Sequence, residues 1–529
     1  MIITMPRENA PPPQVACQYT YRPALLYRSL AHSVRARCSP RSKWTGDRPT
    51  DAGSNPRPTP TAARPRKTVS SGPTAAIIWF IHQRHGRLSC AGGRMRQPKS
   101  LTRRALLRAA ASLAGPYVLA PGALGAADRP APSNRVTVGF IGTGGQGIGR
   151  NLRGFLSQPD AQAVAVCDVD PAHLETARSI TERYYSREMA DGTFKGCAAT
   201  HDFRDIIARP GIDAVCISTP DHWHALMSIT AIRAGKDVIC EKPTVTVQEG
   251  RLVADAVARY GTVFQTSTED RSIAVYHRMA ELVRNGRVGR LQRITVGLPS
   301  GPAQAGDPTP RPVPPGFDYD LWLGPAEWAP YCPDRIHSNF RWITDYSGGM
   351  LPDWGCHLFD TAQWANDTER TGPVEVEGTG RRHAGGLYDT FYEFRLKYRY
   401  AGGVELIVES TGPAIRFEGT DGWVGNKGWC APVQASSPDI LASRIGPSEV
   451  RLFTCPAGEH RNFLDCVKTR TDPYFPAEVG HRVSTLAHIG NIAMWTGRKL
   501  QWDPRAERFV GDPEADRYLA RAMRAPWHL

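Results

Sequence analysis

The sequence lacks any apolar run near the ~20 residues that a membrane-spanning helix requires; the stretch Ala75 to Ile81 falls far short. It also lacks a C-x-x-C pair and any Cys/His cluster at zinc spacing, although 12 cysteines are present, so no metal site follows from them. Cys17, Cys38 and Cys90 fall in the N-terminal region, whereas Cys167, Cys216 and Cys240 sit in strand-like apolar runs and read as buried thiols; disulfides stay open. Acidic residues are scarce in one place only. Residues 1–127 hold 20 Lys and Arg against 3 Asp and Glu, and the rest of the chain holds 45 against 48. The net charge of +14 therefore belongs to the N-terminal region. The body of the chain has no basic surplus with which to attract nucleic acid. With 41% hydrophobic residues, the 529-residue length allows roughly two to four packed domains.

Residues 1–94 scatter Pro and Arg among Ser, Thr and Ala with no sustained period, and are expected to be disordered or untranslated. A disordered basic tail that holds an anionic partner is the alternative. From Met95, a candidate start, come Arg96, Lys99, Arg103, Arg104 and Arg108, then the apolar run Ala109 to Ala120, then Gly125-Ala126-Ala127. That order is the layout of an export signal. Arg103-Arg104-Ala105-Leu106-Leu107 resembles the twin-arginine type, with an ordinary secretion signal or an uncleaved anchor as alternatives. The expectation is a signal peptide over 95–127, a periplasmic or exported product, and no stable membrane insertion after cleavage. A cytoplasmic protein is expected if the signal does not function.

The β-branched run Arg135 to Ile141 leads straight into Gly142-Thr143-Gly144-Gly145-Gln146-Gly147, and a helix-compatible stretch, Ile148 to Leu156, follows. Strand, glycine turn and helix are the context of a dinucleotide loop: the first glycine permits the turn, the second admits the pyrophosphate and the third lets helix and strand pack closely. A second strand, Ala163 to Cys167, ends at Asp168, placed to accept hydrogen bonds from the adenosine ribose. Val169 and Asp170 follow, with no Arg to pair a 2′-phosphate, so NAD is favoured over NADP.

The alternation continues through helices at 171–187, 202–208, 222–234 and 247–260 and strands at 213–218, 237–240 and 262–265. This calls for a parallel sheet covered on both faces, binding its ligand at the carboxyl ends of the strands. Two such ends carry Ser218-Thr219-Pro220-Asp221-His222-Trp223-His224 and Glu241-Lys242-Pro243.

At these residues the chain resembles the Gfo/Idh/MocA oxidoreductases, the group of glucose-fructose oxidoreductase and inositol dehydrogenase. The resemblance runs from about Arg135 to Trp527 and takes in Leu321-Trp322-Leu323-Gly324-Pro325, Asp345 to Met350 and Arg461 to Cys466. It implies an α/β fold: an NAD-binding Rossmann domain over 128–266, then an α/β domain with a largely antiparallel sheet over 267–529. It also implies a homo-oligomer, and a cofactor site taking in Gly142, Gly144, Gly145, Gln146, Gly147, Asp168, Thr219, Pro220, His224, Glu241 and Lys242. His222 is expected to line the same site. Neither His222 nor His224 has the acidic company of a metal ligand.

Lys242, at the mouth of a buried strand, is expected to have its pKa lowered by desolvation and a nearby nicotinamide cation and to shuttle a proton. Asp353 and His357 stand four apart at the start of a helix, which puts both on one face. Removing a hydroxyl proton as hydride departs suits an imidazole. The family pattern implies His357 as acid/base and Asp353 as a substrate-binding or orienting carboxylate. Asp360 is a candidate partner for His357. Trp322, Trp328, Tyr331, Phe340, Trp342 and Trp354 read singly as core and together as a surface for a sugar ring. Glu269 and Asp270 stand where relatives carry amides, and Pro352 replaces a more usual hydroxyl residue, so the substrate cannot be transferred by analogy. The leading reading is an NAD-dependent oxidoreductase of a carbohydrate or polyol hydroxyl. A redox-neutral glycosidase or epimerase with a retained cofactor, and a non-enzymatic NAD or sugar sensor, are the alternatives.

Overall fold

The computed structural model describes residues 130–529. The expected extension over 1–94 and export signal over 95–127 lie outside the described residues. The β-branched run forms β1 (Val136–Ile141). It is joined by β2 (Ala161–Cys167), β3 (Ala198–Thr200), β4 (Ala214–Ile217), β5 (Asp237–Glu241) and β6 (Phe264–Ser267) in a six-stranded parallel sheet. The order β3-β2-β1-β4-β5-β6 reverses direction between β1 and β4, which opens a crevice above their carboxyl ends.

Every residue of β4, β5 and β6 is buried because helices cover both faces. The first, α1, opens in π geometry at Gly147–Leu152 and continues as an α-helix at Arg153–Leu156. Then come α2 (Pro171–Tyr184), α3 (Phe203–Ala208), α4 (Asp221–Arg233) and α5 (Val247–Tyr260). The side chain of Asp170 caps α2 and Thr246 Oγ1 accepts from Glu249 N at the start of α5, each satisfying a backbone N–H that a helix start leaves unpaired, while the Glu249 carboxylate accepts from Val245 N.

Farther along lie α6 (Ala274–Arg284), α7 (Met350–Ala365), α8 (Glu459–Thr469), α9 (Ala477–Thr496) and a nine-stranded sheet. Its strands are β7 (Leu291–Gly297), β8 (Glu375–Arg381), β9 (Glu393–Arg399), β10 (Glu405–Glu409), β11 (Ala414–Gly419), β12 (Trp423–Gly425), β13 (Gln434–Ala435), β14 (Leu500–Asp503) and β15 (Arg508–Phe509). Only the β7/β10 pair is parallel. Alternation along β9 turns Phe394, Leu396 and Tyr398 inward, into one core with α6, α7 and α9. Burying an apolar side chain of this size contributes about 1.5–3 kcal/mol. The opposite face carries charged pairs such as Lys397 with Glu405 and Arg395 with Glu409, worth at most about 1 kcal/mol each.

The later chain completes the first sheet. Phe463, Leu464, Cys466 and Val467 of α8 join the core formed by Phe140 and Phe155, and Trp527 packs edge-on against Trp223 at 4.8 Å. Between β7 and α7, residues 298–349 form an aromatic cover in which Phe317, Tyr319, Trp322, Tyr331, Phe340 and Tyr346 pack together. It is pinned to the first sheet where Asp318 N donates to Val169 O (3.1 Å) and Trp223 Nε1 donates to Trp322 O (3.1 Å). Most of the expected core aromatics are indeed buried or half-buried, but Trp328 is 62% exposed. The strands β3, β12, β13 and β15 are two or three residues long, too short to display a period.

Candidate active site

The glycine loop has the geometry its spacing predicts. Gly142 adopts φ +85°, and a Cβ there would strike the Ser218 carbonyl at 2.6 Å. A Cβ on Gly147 would lie 2.2 Å from the Gly142 carbonyl oxygen. The two glycines between them face open space: a Cβ on Gly145 meets nothing within 4 Å, and one on Gly144 meets only the His173 ring at 3.7 Å. Such a loop, facing the start of α1, is a cradle for a pyrophosphate.

Asp168, at the end of β2, accepts from Thr143 N of this loop (2.6 Å) and from Asp170 N (2.9 Å). Burial raises its pKa against those hydrogen bonds. Thr219 follows β4 with its Oγ1 buried and without a partner among the described residues, and Pro220 begins the turn into α4. His224 behaves differently from the expectation of a ligand contact. Its two ring nitrogens lie 2.6 Å from Pro243 O and 2.8 Å from Thr219 O, so it staples two strand-end turns together and has no nitrogen free. His222 does not line the cleft either: its Nε2 meets Trp322 O at 2.9 Å inside the aromatic cover, and burial pushes its pKa down to about 3. Glu241 Oε1 accepts from Gln146 Nε2 (3.0 Å) and Asn151 Nδ2 (2.9 Å), tying the loop and α1 to the end of β5.

Lys242 meets the second sequence segment here. Its Nζ donates to the Asp353 carbonyl oxygen (2.6 Å) and to Asp353 Oδ1 (2.9 Å), while Arg341 Nε lies 3.1 Å from Oδ2. Burial works against both ions, but Arg341 and Lys242 hold the Asp353 carboxyl far below the usual range. The expected lowering of the Lys242 pKa is corrected by the same geometry. Burial does lower it, yet the Asp353 and Glu241 charges outweigh burial and the net shift is upward. Lys242 is a fixed cation.

One helical turn on, His357 Nδ1 lies 2.8 Å from Asp270 Oδ2. Asp360, the other candidate partner, is instead committed to the Arg271 guanidinium at 2.6 Å. Burial disfavours the imidazolium, but Asp270 overcomes it and the His357 pKa rises. Burial also raises the Asp270 pKa, so the pair as a whole holds one proton tightly. Glu269 Oε2 lies 3.0 Å from an Arg150 nitrogen and 4.0 Å from His357 Nδ1, which links α1 of the glycine loop directly to the imidazole. Arg150 also pairs with Glu459 of α8, whose pKa burial pushes up to about 7. Trp354 and Trp429 flank the imidazole at ring separations of 5.8 and 5.1 Å.

Comparison with known proteins agrees with the two-sheet fold. Residues 136–268 match the oxidoreductase family, NAD-binding Rossmann fold, and residues 302–529 match the oxidoreductase family, C-terminal alpha/beta domain. The chain belongs to the Gfo/Idh/MocA oxidoreductase family. A glycosyl hydrolase family 109 protein of Stenotrophomonas maltophilia is 29% identical over 238 residues, 42% of this chain and 48% of that protein. Levoglucosan dehydrogenase of Pseudarthrobacter phenanthrenivorans is 36% identical over 94 residues, 18% of this chain and 24% of that protein. The chain thus spans about half or less of the length of these relatives. Among solved structures, the WlbA dehydrogenase of Bordetella pertussis in complex with NADH and UDP-GlcNAcA has the same fold, with TM-score 0.51 and 17% identity over 70% of this chain and 99% of that one.

Within this Gfo/Idh/MocA frame, sequence reasoning did not identify Arg150, Arg341, Glu459 or Trp429. None carries a local motif: Arg150 sits on α1 beside the glycine loop, and the others reach the site through packing of distant segments. Asp270 did carry a signal, as an acid just beyond the carboxyl end of β6, where ligands of such sheets are met.

Proposed function

We propose that the chain is an NAD-dependent oxidoreductase that removes hydride from a hydroxyl-bearing carbon of a carbohydrate or polyol. The observation that carries this reading is the convergence of Lys242–Asp353 and His357–Asp270 at the strand ends beside the glycine loop. The open cradle at Gly144 and Gly145 and the unpartnered Thr219 Oγ1 fit a dinucleotide, with Asp168 at its ribose. When bound, the nicotinamide supplies the hydride acceptor.

The residues do the remaining work. Asp270 accepts the Nδ1 proton of neutral His357, which leaves Nε2 as the base for the substrate hydroxyl. The Lys242 cation stabilises negative charge as it develops on the substrate oxygen, and Asp353 with Arg341 fixes the Lys242 side chain. Trp354 and Trp429 offer aromatic faces to the apolar side of a ring. For His357→Ala and Lys242→Met, NAD is expected to bind near normally while NADH formation from a panel of aldoses, cyclitols and glycosides is lost. Undiminished turnover in both variants sinks the assignment.

The similarity to glycosyl hydrolase family 109 proteins favours one second reading, a redox-neutral cleavage or epimerisation in which the cofactor is reduced and reoxidised in each cycle. Release of an aglycone without NADH accumulation supports it; stoichiometric NADH refutes it. An exported product, as the order of residues over 95–127 implies, would make such retention useful, and N-terminal sequencing of secreted material tests that export.

A further inference from the structure

At the ribose end of the crevice, three side chains from two distant parts of the chain converge without forming hydrogen bonds to one another. Asp170 and His173 open α2, and His337 comes from the aromatic cover. Asp170 Oδ2 lies 3.9 Å from His173 Nδ1 and 3.9 Å from His337 Nε2, and the three donor atoms lie within 4.8 Å of one another. These separations are too long for hydrogen bonds. The other Asp170 oxygen accepts from Ala172 N at 2.8 Å, which fixes the carboxylate and leaves Oδ2 turned toward the imidazoles. Asp168 Oδ2 stands 3.8 Å from the same His173 nitrogen. His337 has a left-handed backbone, φ +52°.

We propose that Asp170, His173 and His337 form a site for a borderline divalent transition ion, zinc being the reference case, that fastens the aromatic cover to the ribose edge of the Rossmann sheet. Two imidazoles and one carboxylate are the donor set such ions prefer, and calcium or magnesium would require more oxygens. Tetrahedral bonds of about 2.0–2.2 Å place ligands roughly 3.4 Å apart, so each side chain closes by about half an ångström. The fourth position is left to water, to Asp168, or to an oxygen of a ligand in the cleft. That last option rests on the NAD reading above; the ion site itself does not.

The test uses the full chain, stripped with chelator and titrated with zinc alone by calorimetry, then with cobalt(II), whose visible absorption reports tetrahedral nitrogen ligation. One equivalent is expected to bind in excess of that taken up by the His173→Ala/His337→Ala double variant, which accounts for ions held by cysteines or other surface groups. Each single variant should weaken this component by about tenfold or more, the loss that even outer-shell partners of a metal ligand produce. Far-UV circular dichroism confirms that the variants fold. Equal uptake by wild type and double variant overturns the site. A zinc equivalent that binds with no change in NADH dissociation rate retains the site and denies it a link to the cofactor, whereas failure of NAD to bind at all is a failure of the oxidoreductase reading alone.

Discussion

Replacing Asp270 by Asn removes one charge at a site where geometry and electrostatics both give it weight. Its Oδ2 is 2.8 Å from His357 Nδ1, and both side chains are largely shielded from water. At an effective dielectric of about 20, unit charges some 4 Å apart attract by about 4 kcal/mol, and desolvation offsets part of that. The expected result is a lowered His357 midpoint, since the neighbouring charge that raises it is gone. The sign follows from the raised pKa: wild-type His357 stays protonated to higher pH than ordinary histidine, so base catalysis of alcohol oxidation rises with pH through an upward-displaced midpoint. The Asp270→Asn substitution shifts that rise to lower pH. The new carboxamide also offers an N–H toward Nδ1, which moves the imidazole proton to Nε2 and removes the base, so kcat falls by about 100- to 10,000-fold with NAD affinity little changed. Histidine labelled with 13C at Cε1 reports the midpoint without any substrate, and nitrogen shifts report the tautomer. A midpoint that does not move, in a folded variant that binds NAD, refutes the ion-pair account of the dyad.

Three further outcomes are expected. Gly147→Ala drives a methyl against the Gly142 carbonyl, so both stability (about 1–3 kcal/mol, by urea unfolding) and NAD affinity fall; Gly145→Ala meets no protein atom, so affinity falls while the unfolding midpoint holds. Glu459, with its pKa raised from 4.5 to about 7, binds a proton in the folded state that the unfolded chain releases. Stability contributed by this group is therefore present below about pH 4.5 and lost as pH rises through 7, so Glu459→Gln gains on wild type by up to roughly 3 kcal/mol between pH 4.5 and 8 in denaturant titrations. Trp429→Ala is expected to raise KM for a ring substrate several-fold and leave kcat nearly unchanged, since the indole flanks His357 without hydrogen-bonding it; a KM equal to wild type denies it a role in binding.

The first sheet was legible because its signals are local. A strand followed by six residues with glycines at fixed places admits few structures, and Asp168 and Lys242 sit at strand ends that the alternation itself locates. The Asp353/His357 pair was legible as a spacing of four, but the partners of each were not: Asp270, Arg341, Glu269 and Arg150 lie on other elements, and only packing decides which carboxylate an imidazole meets. The reading of Asp360 as a partner of His357 failed because the rotation of α7 aims it at Arg271. Lys242 shows a different limit. Burial alone predicts a lowered pKa, and the sign reverses only once the Asp353 and Glu241 charges are placed beside it.

Helix α8 carries a consequence for how the chain acquires this structure. The Arg150–Glu459 pair spans 309 residues, and Phe463 closes the core above Phe140 and Phe155. A chain that ends before Glu459 therefore lacks part of the covering of its first sheet. Contacts closed over such separations form late and slowly. A chain truncated before Glu459 is expected to be cut faster by proteases in its first half than the full chain, because the core around Phe140 and Phe155 is left open.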